Sequence, residues 1–133
     1  MESNYLYSEI TSIIISSFYK VYNTLGSGFL EKVYENALFI ELKKNGLFCQ
    51  KQVPLTVFYE GEKVGDYFAD IIVENKIILE LKAAEALVPE HEAQLVNYLR
   101  ATEIEVGLLL NFGKKPEHKR KVLTNEFKNH IKS

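Results

Sequence analysis

A glutamate and a lysine stand together in an otherwise apolar segment, Ile77–Lys82. Alternate side chains of a β-strand point to opposite faces, so Glu80 and Lys82 would project from the same face as Ile78. An ammonium beside a carboxylate can neutralise a developing anion or orient a water molecule. The same spacing also fits a surface ion pair on an exposed strand, but Ile78 shares the face of these two residues and so apolar a strand is expected to be central.

Asp70 lies in the apolar run that precedes this segment. A carboxylate there is costly to bury unless it is paired or bound to a cation. Asp70 lies opposite Glu80 if Val73 pairs with Ile77 in a hairpin closed by the three-residue loop Glu74–Lys76. Such loops commonly contain one left-handed residue, and the asparagine of this loop tolerates that conformation. A two-residue loop would instead put the two carboxylates on opposite faces.

In the favoured register the Cβ atoms of Asp70 and Glu80 lie roughly 5 Å apart. Two carboxylates at that separation repel each other, which raises a pKa unless a cation lies between them. Ligand sets made only of oxygen are those that Mg²⁺ and Mn²⁺ prefer. The two acids therefore predict a site for a divalent cation, with Lys82 beside it.

Glu31 is a further candidate acid, and it lies on a predicted helix. On a helical wheel it falls beside Leu38 and Leu42, at the edge of the apolar half, from which it could reach towards the cation. A glutamate in the first turn of a helix is also favoured by the helix dipole, and Glu41 lies within the same apolar half. The spacing alone does not choose between these interpretations.

Another predicted helix places Gln94 and Tyr98 one turn apart, where both could contact one ligand. The alternative is an ordinary polar flank beside the core stripe Leu95–Leu99. His91 lies on the same face and is predicted to be a partly exposed helix residue. Cys49 is predicted to be a packing residue, since no histidine is positioned to make it a convincing nucleophile.

The elements that position these residues follow from hydrophobic periodicity and from glycine and proline breaks. Helices are predicted over Tyr5–Leu25, Leu30–Lys44 and Pro89 to about Thr102, and strands over Cys49–Tyr59, Val64–Val73, Ile77–Leu81 and Glu105–Asn111. The tail from Lys119 is ambiguous, with an edge strand over Arg120–Leu123 before a helix. The connection from the third strand to the fourth is long enough for a right-handed parallel crossover. This order predicts an α/β fold, with a mixed sheet flanked by helices.

Composition limits the possible classes of protein. The chain has 133 residues, 47% hydrophobic and 26% charged, which predicts one globular domain over residues 1–133. A single cysteine excludes an internal disulfide and a four-cysteine zinc site. The start of the chain does not resemble a secretory signal, and no apolar run approaches the roughly 20 residues that span a bilayer. We therefore expect a cytoplasmic protein without membrane contact.

The net charge of −2 excludes the uniformly basic surface of an architectural nucleic-acid binder. A local basic cluster remains, and its members are Arg100, Lys114, Lys115, Lys119, Arg120 and Lys121. These side chains could contact phosphates, or they could form an ordinary solvated run of charge. Near-neutrality is therefore compatible with an acidic metal site offset by a basic patch.

Taken together, these residues resemble the PD-(D/E)XK nuclease superfamily over most of the chain. The sequence is most similar to a small bacterial and archaeal group named for a G-x-x-E-x-x-Y motif, and it carries the Q-x-x-x-Y helix of RecB-like and λ-exonuclease-like nucleases. The matching positions are Gly28, Glu31 and Tyr34, then Asp70, then Glu80, Leu81 and Lys82, then Gln94 and Tyr98. Ala69 replaces the proline of the superfamily name, at a position that carries no chemistry.

The resemblance implies a restriction-endonuclease-like αβββαβ core and metal-dependent cleavage of phosphodiester bonds. It implies that Asp70 and Glu80 bind Mg²⁺ or Mn²⁺, with the backbone carbonyl of Leu81 as a further ligand. Glu31 would complete the acidic cluster or hold a metal-bound water.

By the same resemblance, Lys82 would position or activate the attacking water, and Gln94 and Tyr98 would steady the site or contact the nucleic-acid strand. The implied function is a nuclease acting on nucleic acid, DNA in particular, in repair or defence. The alternative is a non-catalytic module that binds nucleic acid or protein on the same fold, although no acid or lysine of the motif is missing. The small size suggests a homodimer or a protein partner that supplies specificity, and a structural homo-oligomer joined through the aromatic first helix is a third interpretation.

Overall fold

A computed structural model describes residues 6–128 of the chain. The elements, in chain order, are α1 (Ser8–Leu25), α2 (Glu31–Lys44), β1 (Cys49–Tyr59), β2 (Glu62–Val73), β3 (Ile77–Lys82), α3 (Pro89–Arg100), β4 (Val106–Asn111), β5 (Glu117–Val122) and a 3₁₀ turn (Asn125–Phe127). The predicted αβββαβ order is confirmed from α2 to β4. Helix α1 precedes this core and β5 follows it.

The five strands form one mixed sheet in the order β1-β2-β3-β4-β5. Strands β1, β2 and β3 form an antiparallel meander, and β4 and β5 pair in the same sense. Strands β3 and β4 are parallel, because the chain crosses over through α3 between them. The predicted mixed sheet is confirmed, and β3 occupies its centre.

Helices cover both faces of the sheet, and the alternation of β3 decides which residue meets which helix. Leu79 and its neighbours Ile77 and Leu81 pack under α1 and α2 in one buried cluster. Ile78 faces the other way and packs with Leu95 of α3. Each fully buried aliphatic side chain contributes roughly 1.5–3 kcal/mol, so the two clusters hold β3 firmly between the helix layers.

Leu95 of α3 packs directly against the backbone of β4, and a glycine permits the contact. A Cβ atom added at Gly107 would lie 2.7 Å from Cδ1 of Leu95, closer than side-chain carbons approach each other. The absent side chain therefore leaves room for Leu95, so that α3 can pack onto this part of the sheet.

Several element boundaries differ from the sequence prediction by one to three residues. Helix α1 begins at Ser8, and Tyr5, where the prediction began, lies outside the described residues. Helix α3 ends at Arg100 because the hydroxyl of Thr102 donates to the carbonyl of Tyr98 at 3.0 Å and caps the last turn. No helix within residues 6–128 is long and apolar enough to cross a membrane.

In the described part of the chain's tail, the predicted edge strand forms and most of the predicted helix does not. Strand β5 begins at Glu117, three residues before the predicted start, and pairs with β4 along its whole length. Its charged side chains are typical of an edge strand, which they protect from pairing with other chains. Within the described part of the tail, the predicted helix is reduced to the single 3₁₀ turn. Residues 129–133 lie outside that part.

Candidate active site

The hairpin that joins β2 to β3 sets the register of the acidic residues. Its paired residues are Ile71 with Leu79, Ile72 with Ile78, and Val73 with Ile77, as the three-residue loop predicts. In that loop Asn75 is left-handed, with φ of 54°, and so is Glu74. The register that brings Asp70 opposite Glu80 is therefore confirmed.

Beyond Ile71 and Leu79 the backbone ladder stops, and side chains join the two strands instead. The N–H of Asp70 donates to Oε1 of Glu80 at 3.1 Å. The N–H of Leu81 donates to Oδ2 of Asp70 at 2.8 Å. Each carboxylate thus binds the backbone of the opposite strand, which fixes both acids at the point where the strands separate.

Burial of these two acids perturbs their titration. Burial raises the pKa of Glu80 to about 8, and the charge of Asp70 adds to this effect. A hydrogen bond from the Asp70 N–H and the charge of Lys82 act in the opposite direction. Burial is also the main reason that the pKa of Asp70 is raised. The two acids therefore resist being ionised together unless positive charge is added between them.

Gln52 and Glu35 extend the acidic group, and the sequence analysis did not identify them. Gln52 has φ of 51° and interrupts the pairing of β1 with β2 opposite Asp70. Its Nε2 donates to Oε1 of Glu35 at 2.8 Å and to Oδ1 of Asp70 at 3.4 Å. Glu35 is only 5% exposed, and Lys32 pairs with its other oxygen at 3.1 Å. A signal for Glu35 was available, since it lies one helical turn from Glu31 on the inward face of α2.

Glu31 fits both interpretations of its position. It is exposed in the first turn of α2, where the helix dipole favours an acid. Its carboxylate accepts a long hydrogen bond of 3.4 Å from the N–H of Ala83, the residue after β3. Its charge also contributes to the raised pKa values of Asp70 and Glu80, after burial and nearer groups. The charge of Glu31 therefore acts on the acidic pair from the start of α2.

Gln94 and Tyr98 contact each other on α3, as their spacing predicts. Nε2 of Gln94 donates to the hydroxyl of Tyr98 at 2.9 Å. Burial raises the pKa of Tyr98 to about 12, and the charge of Glu80 adds to this effect. The phenol therefore keeps its proton at neutral pH and lies on the side of the sheet that Glu80 faces.

The lysine of the motif ends β3, and the chain just after it is held by a buried amide. Lys82 is partly buried, and its carbonyl accepts from the N–H of Phe112 at 2.7 Å. Asn111 is fully buried, and its side chain both donates to the carbonyl of Ala84 and accepts from its N–H, each at 3.0 Å. A Cβ atom at Gly113 would lie only 1.8 Å from that carbonyl. The loop after Lys82 is therefore fastened to the end of β4.

Two other candidates have structural roles, as the sequence analysis predicted. Nδ1 of His91 accepts from the N–H of Val88 at 3.2 Å and so caps the start of α3. Cys49 is 9% exposed, and burial raises the pKa of its thiol to about 11. A thiol that stays protonated is a poor nucleophile.

The basic cluster is divided between the two faces of the sheet. Lys119 and Lys121 pair with Glu92 of α3, at 2.9 Å and 2.5 Å. Arg120 alternates to the other face and donates to the carbonyl of Leu6 at 2.6 Å. These residues of β5 therefore do not form one continuous basic patch.

The donors at the site suit a hard divalent cation. Asp70 and Glu80 offer carboxylate oxygens on neighbouring strands, and burial is the main reason that the pKa of each is raised. Within residues 6–128, no three His, Cys, Asp or Glu side chains form a complete ligand set. Mg²⁺ tolerates such a partial set, because it commonly binds one or two carboxylates and keeps several waters.

Comparison with known proteins agrees with this fold. The chain has no significant match among curated proteins. A solved structure reported as "Crystal structure of SSO0001" is 24% identical with a TM-score of 0.60, and the match covers 88% of this chain and 59% of that one. The present chain thus spans less than two thirds of that protein, and the similarity indicates a shared fold. The model of the PD-(D/E)XK nuclease superfamily matches residues 8–122. The chain belongs to the PD-(D/E)XK nuclease superfamily.

Proposed function

We propose that the protein is a metal-dependent nuclease that hydrolyses phosphodiester bonds in DNA. The observation that carries the proposal is that the carboxylates of Asp70 and Glu80 each accept a hydrogen bond from the backbone of the other's strand, with Lys82 on the same strand as Glu80. Members of the superfamily are generally nucleases that use divalent metal ions. A role in DNA repair or defence, and membership of the G-x-x-E-x-x-Y group, belong to the same proposal.

Asp70 and Glu80 would hold Mg²⁺ or Mn²⁺, with the carbonyl of Leu81 as a backbone ligand and Glu31 on the opposite side. When bound, the ion supplies Lewis acidity, which lowers the pKa of water and stabilises charge on phosphoryl oxygens. The chain itself contributes the fixed position of the two acids, since each accepts a hydrogen bond from the neighbouring strand.

Lys82 would orient the attacking water and neutralise charge that develops on the phosphate. Its ammonium is tethered at the end of a central strand, and the loop behind it is fastened by Asn111. Tyr98 keeps its proton, so its hydroxyl can donate to a phosphate oxygen while Gln94 holds its orientation. A homodimer or a protein partner would supply substrate specificity in the cytoplasm.

The test is cleavage of single-stranded, double-stranded and branched DNA, and of RNA, in Mg²⁺ or Mn²⁺. We expect Asp70→Asn and Lys82→Ala to abolish cleavage. Asp66→Asn is a matched control, because Asp66 lies on β2 like Asp70 but is exposed and paired with Lys63. Equal cleavage by all these proteins would contradict the assignment of the site. Nucleic-acid binding without cleavage in any cation would favour the non-catalytic module instead.

A further inference from the structure

A groove beside the acidic site is formed by the part of the β1–β2 hairpin that extends past β3. Strands β1 and β2 have 11 and 12 residues, whereas β3 has six. The ladder with β3 begins only at Ile71, so the earlier part of β2 faces α3 across an open space. This groove has a volume of about 670 Å³, and Tyr67, Gln94, Asn97, Tyr98 and Arg100 are among the residues that line it. Volumes of about 300–1,000 Å³ accommodate small organic ligands, so a nucleotide fits.

Tyr67 provides an aromatic surface in this groove. Its ring centroid lies 5.7 Å from that of Tyr98, with an interplanar angle of 47°. Tyr98 is almost fully buried, but Tyr67 remains 48% exposed. A tilted partner on one side and solvent on the other leave one face of Tyr67 free for a planar ligand. Stacking of a nucleobase on such a ring needs no particular base, since every base has a π-face.

Tyr98 connects the groove with the acidic site. Gln94 and Tyr98 line the groove, and the charges of Glu80 and Asp70 act on Tyr98. A polymer whose phosphate lies at Asp70 would therefore extend past Tyr98 towards Tyr67. The polar groups along this path suit a nucleotide, because the amides of Gln94 and Asn97 can both donate and accept hydrogen bonds.

Arg100 places positive charge at one end of the groove. Its guanidinium donates to Oδ1 of Asn97 at 3.1 Å, on the same helix. Within residues 6–128 it forms no salt bridge with a carboxylate. Glu90 lies at the opposite end of α3, near its first turn. The charge thus favours a phosphate at the Arg100 end.

We propose that this groove binds an unpaired base of single-stranded nucleic acid next to the bond that is cleaved, with Tyr67 stacking on the base and Arg100 contacting the backbone. The position of this base, next to the bond that is cleaved, rests on the proposed function. Base pairing would keep the base faces stacked inside a duplex and unavailable to Tyr67, so the inference selects a single strand.

The test measures binding without cleavage. Fluorescence anisotropy of a labelled single-stranded oligothymidylate would be followed with EDTA present, for the wild type, Tyr67→Ala and Tyr59→Ala. Tyr59 is a matched control, because it is an exposed tyrosine near the turn of the same hairpin. We expect Tyr67→Ala to weaken binding about tenfold, within the range known for one base-stacking aromatic. Tyr59→Ala should bind like the wild type.

Two further probes separate stacking from charge. An abasic strand should bind equally to the wild type and Tyr67→Ala, because no base is left to stack. Arg100→Ala should weaken binding to both strands and reduce the dependence on salt by roughly one phosphate contact. The inference is overturned if Tyr67→Ala binds the oligothymidylate like the wild type, if it loses affinity equally for the abasic strand or a duplex, or if the wild type does not bind the single strand.

The outcome is distinguishable from that of the proposed function. Base-dependent binding through Tyr67 without cleavage in any cation would support the groove and contradict the nuclease. Cleavage that is unaffected by Tyr67→Ala, in both KM and kcat on single strands, would support the nuclease and contradict the groove.

Discussion

Asp70 and Glu80 each bind the main chain of the other's strand, through the N–H of Asp70 on one side and the N–H of Leu81 on the other. These two contacts replace the backbone ladder at the point where β2 and β3 part. The carboxylates are thereby fixed before any cation or substrate binds. Burial raises both pKa values; the charge of Asp70 adds to the effect at Glu80, and the charges of Glu35 and Glu31 add to it at Asp70.

Glu80 should make the stability of the metal-free protein depend on pH. Its carboxyl titrates at about 8 in the folded protein and at 4.5 when unperturbed, so the folded state binds more protons between these values. The contribution of Glu80 to the free energy of unfolding is therefore lost as pH rises from about 4.5 to 8. Glu80→Gln removes this titration, and we expect the variant to gain about 1 kcal/mol or more over the wild type across that range.

Urea denaturation in EDTA at a series of pH values measures this difference. Asp66→Asn is a suitable control, since its hydrogen bond to Lys63 lowers the pKa of Asp66 and keeps its titration below this window. Parallel stability curves for the wild type and Glu80→Gln would show that the Glu80 carboxyl is not perturbed. Added Mn²⁺ should stabilise the wild type more than Glu80→Gln.

Gln52 combines backbone strain with a contact to the site. A residue with a side chain at φ of 51° is disfavoured by about 1–2 kcal/mol relative to glycine. Gln52→Gly should therefore be more stable than Gln52→Ala by roughly 1 kcal/mol, by urea denaturation. Both variants lose the bridge between Glu35 and Asp70, so both should bind Mn²⁺ more weakly and cleave more slowly, on the order of tenfold.

The pair of variants separates strain from function. Gln50→Ala is a control, since Gln50 lies on the same strand in a regular, exposed position opposite Ile72. If Gln52→Ala equals Gln52→Gly in stability, the left-handed conformation carries no strain. Wild-type activity in both variants would show that the bridge does not position Asp70.

Periodicity predicted the architecture because each element has a clear repeat and a clear break. The alternation of Ile77–Lys82 indicated which side chains face each helix layer, and the three-residue loop before it determined the register. The position of Asp70 opposite Glu80 followed from these two local features alone. Short-range rules were sufficient here, since hairpin partners are close in the sequence.

The missed residues depend on contacts that no local pattern reports. Gln52 occupies a position that alternation predicts to be a regular strand residue, and glutamine has no preference for left-handed backbone. Asn111 ends β4 and looks like an ordinary strand terminator, yet its amide binds Ala84, which is distant in the sequence. The pairing of the β5 lysines with Glu92 likewise requires α3 and β5 to be neighbours.

Asn111 should be required for the stability of the loop after Lys82. In Asn111→Asp the side chain cannot donate to the carbonyl of Ala84, and a carboxylate would face that carbonyl in a fully buried position. We expect a loss of about 1–3 kcal/mol or more in the free energy of unfolding. Asn36→Asp is the control, because position 36 is exposed and the new carboxylate could still accept the hydrogen bond that Lys51 donates to Asn36. Equal stability of the two variants would contradict the role of Asn111.

Glu92 should limit how much the β5 lysines contribute to binding of nucleic acid. It pairs with both Lys119 and Lys121, so Glu92→Gln leaves two ammonium groups free to contact phosphates. We expect the variant to bind duplex DNA more tightly at low salt, with a slope of log K against log salt that is steeper by roughly 1–2. Glu41→Gln is the matched control, since it frees Lys20 between α1 and α2, remote from α3. If both variants bind like the wild type, the lysines of β5 form an ordinary solvated run of charge. The phosphate contacts then lie elsewhere, and Arg100 is the remaining basic candidate on α3.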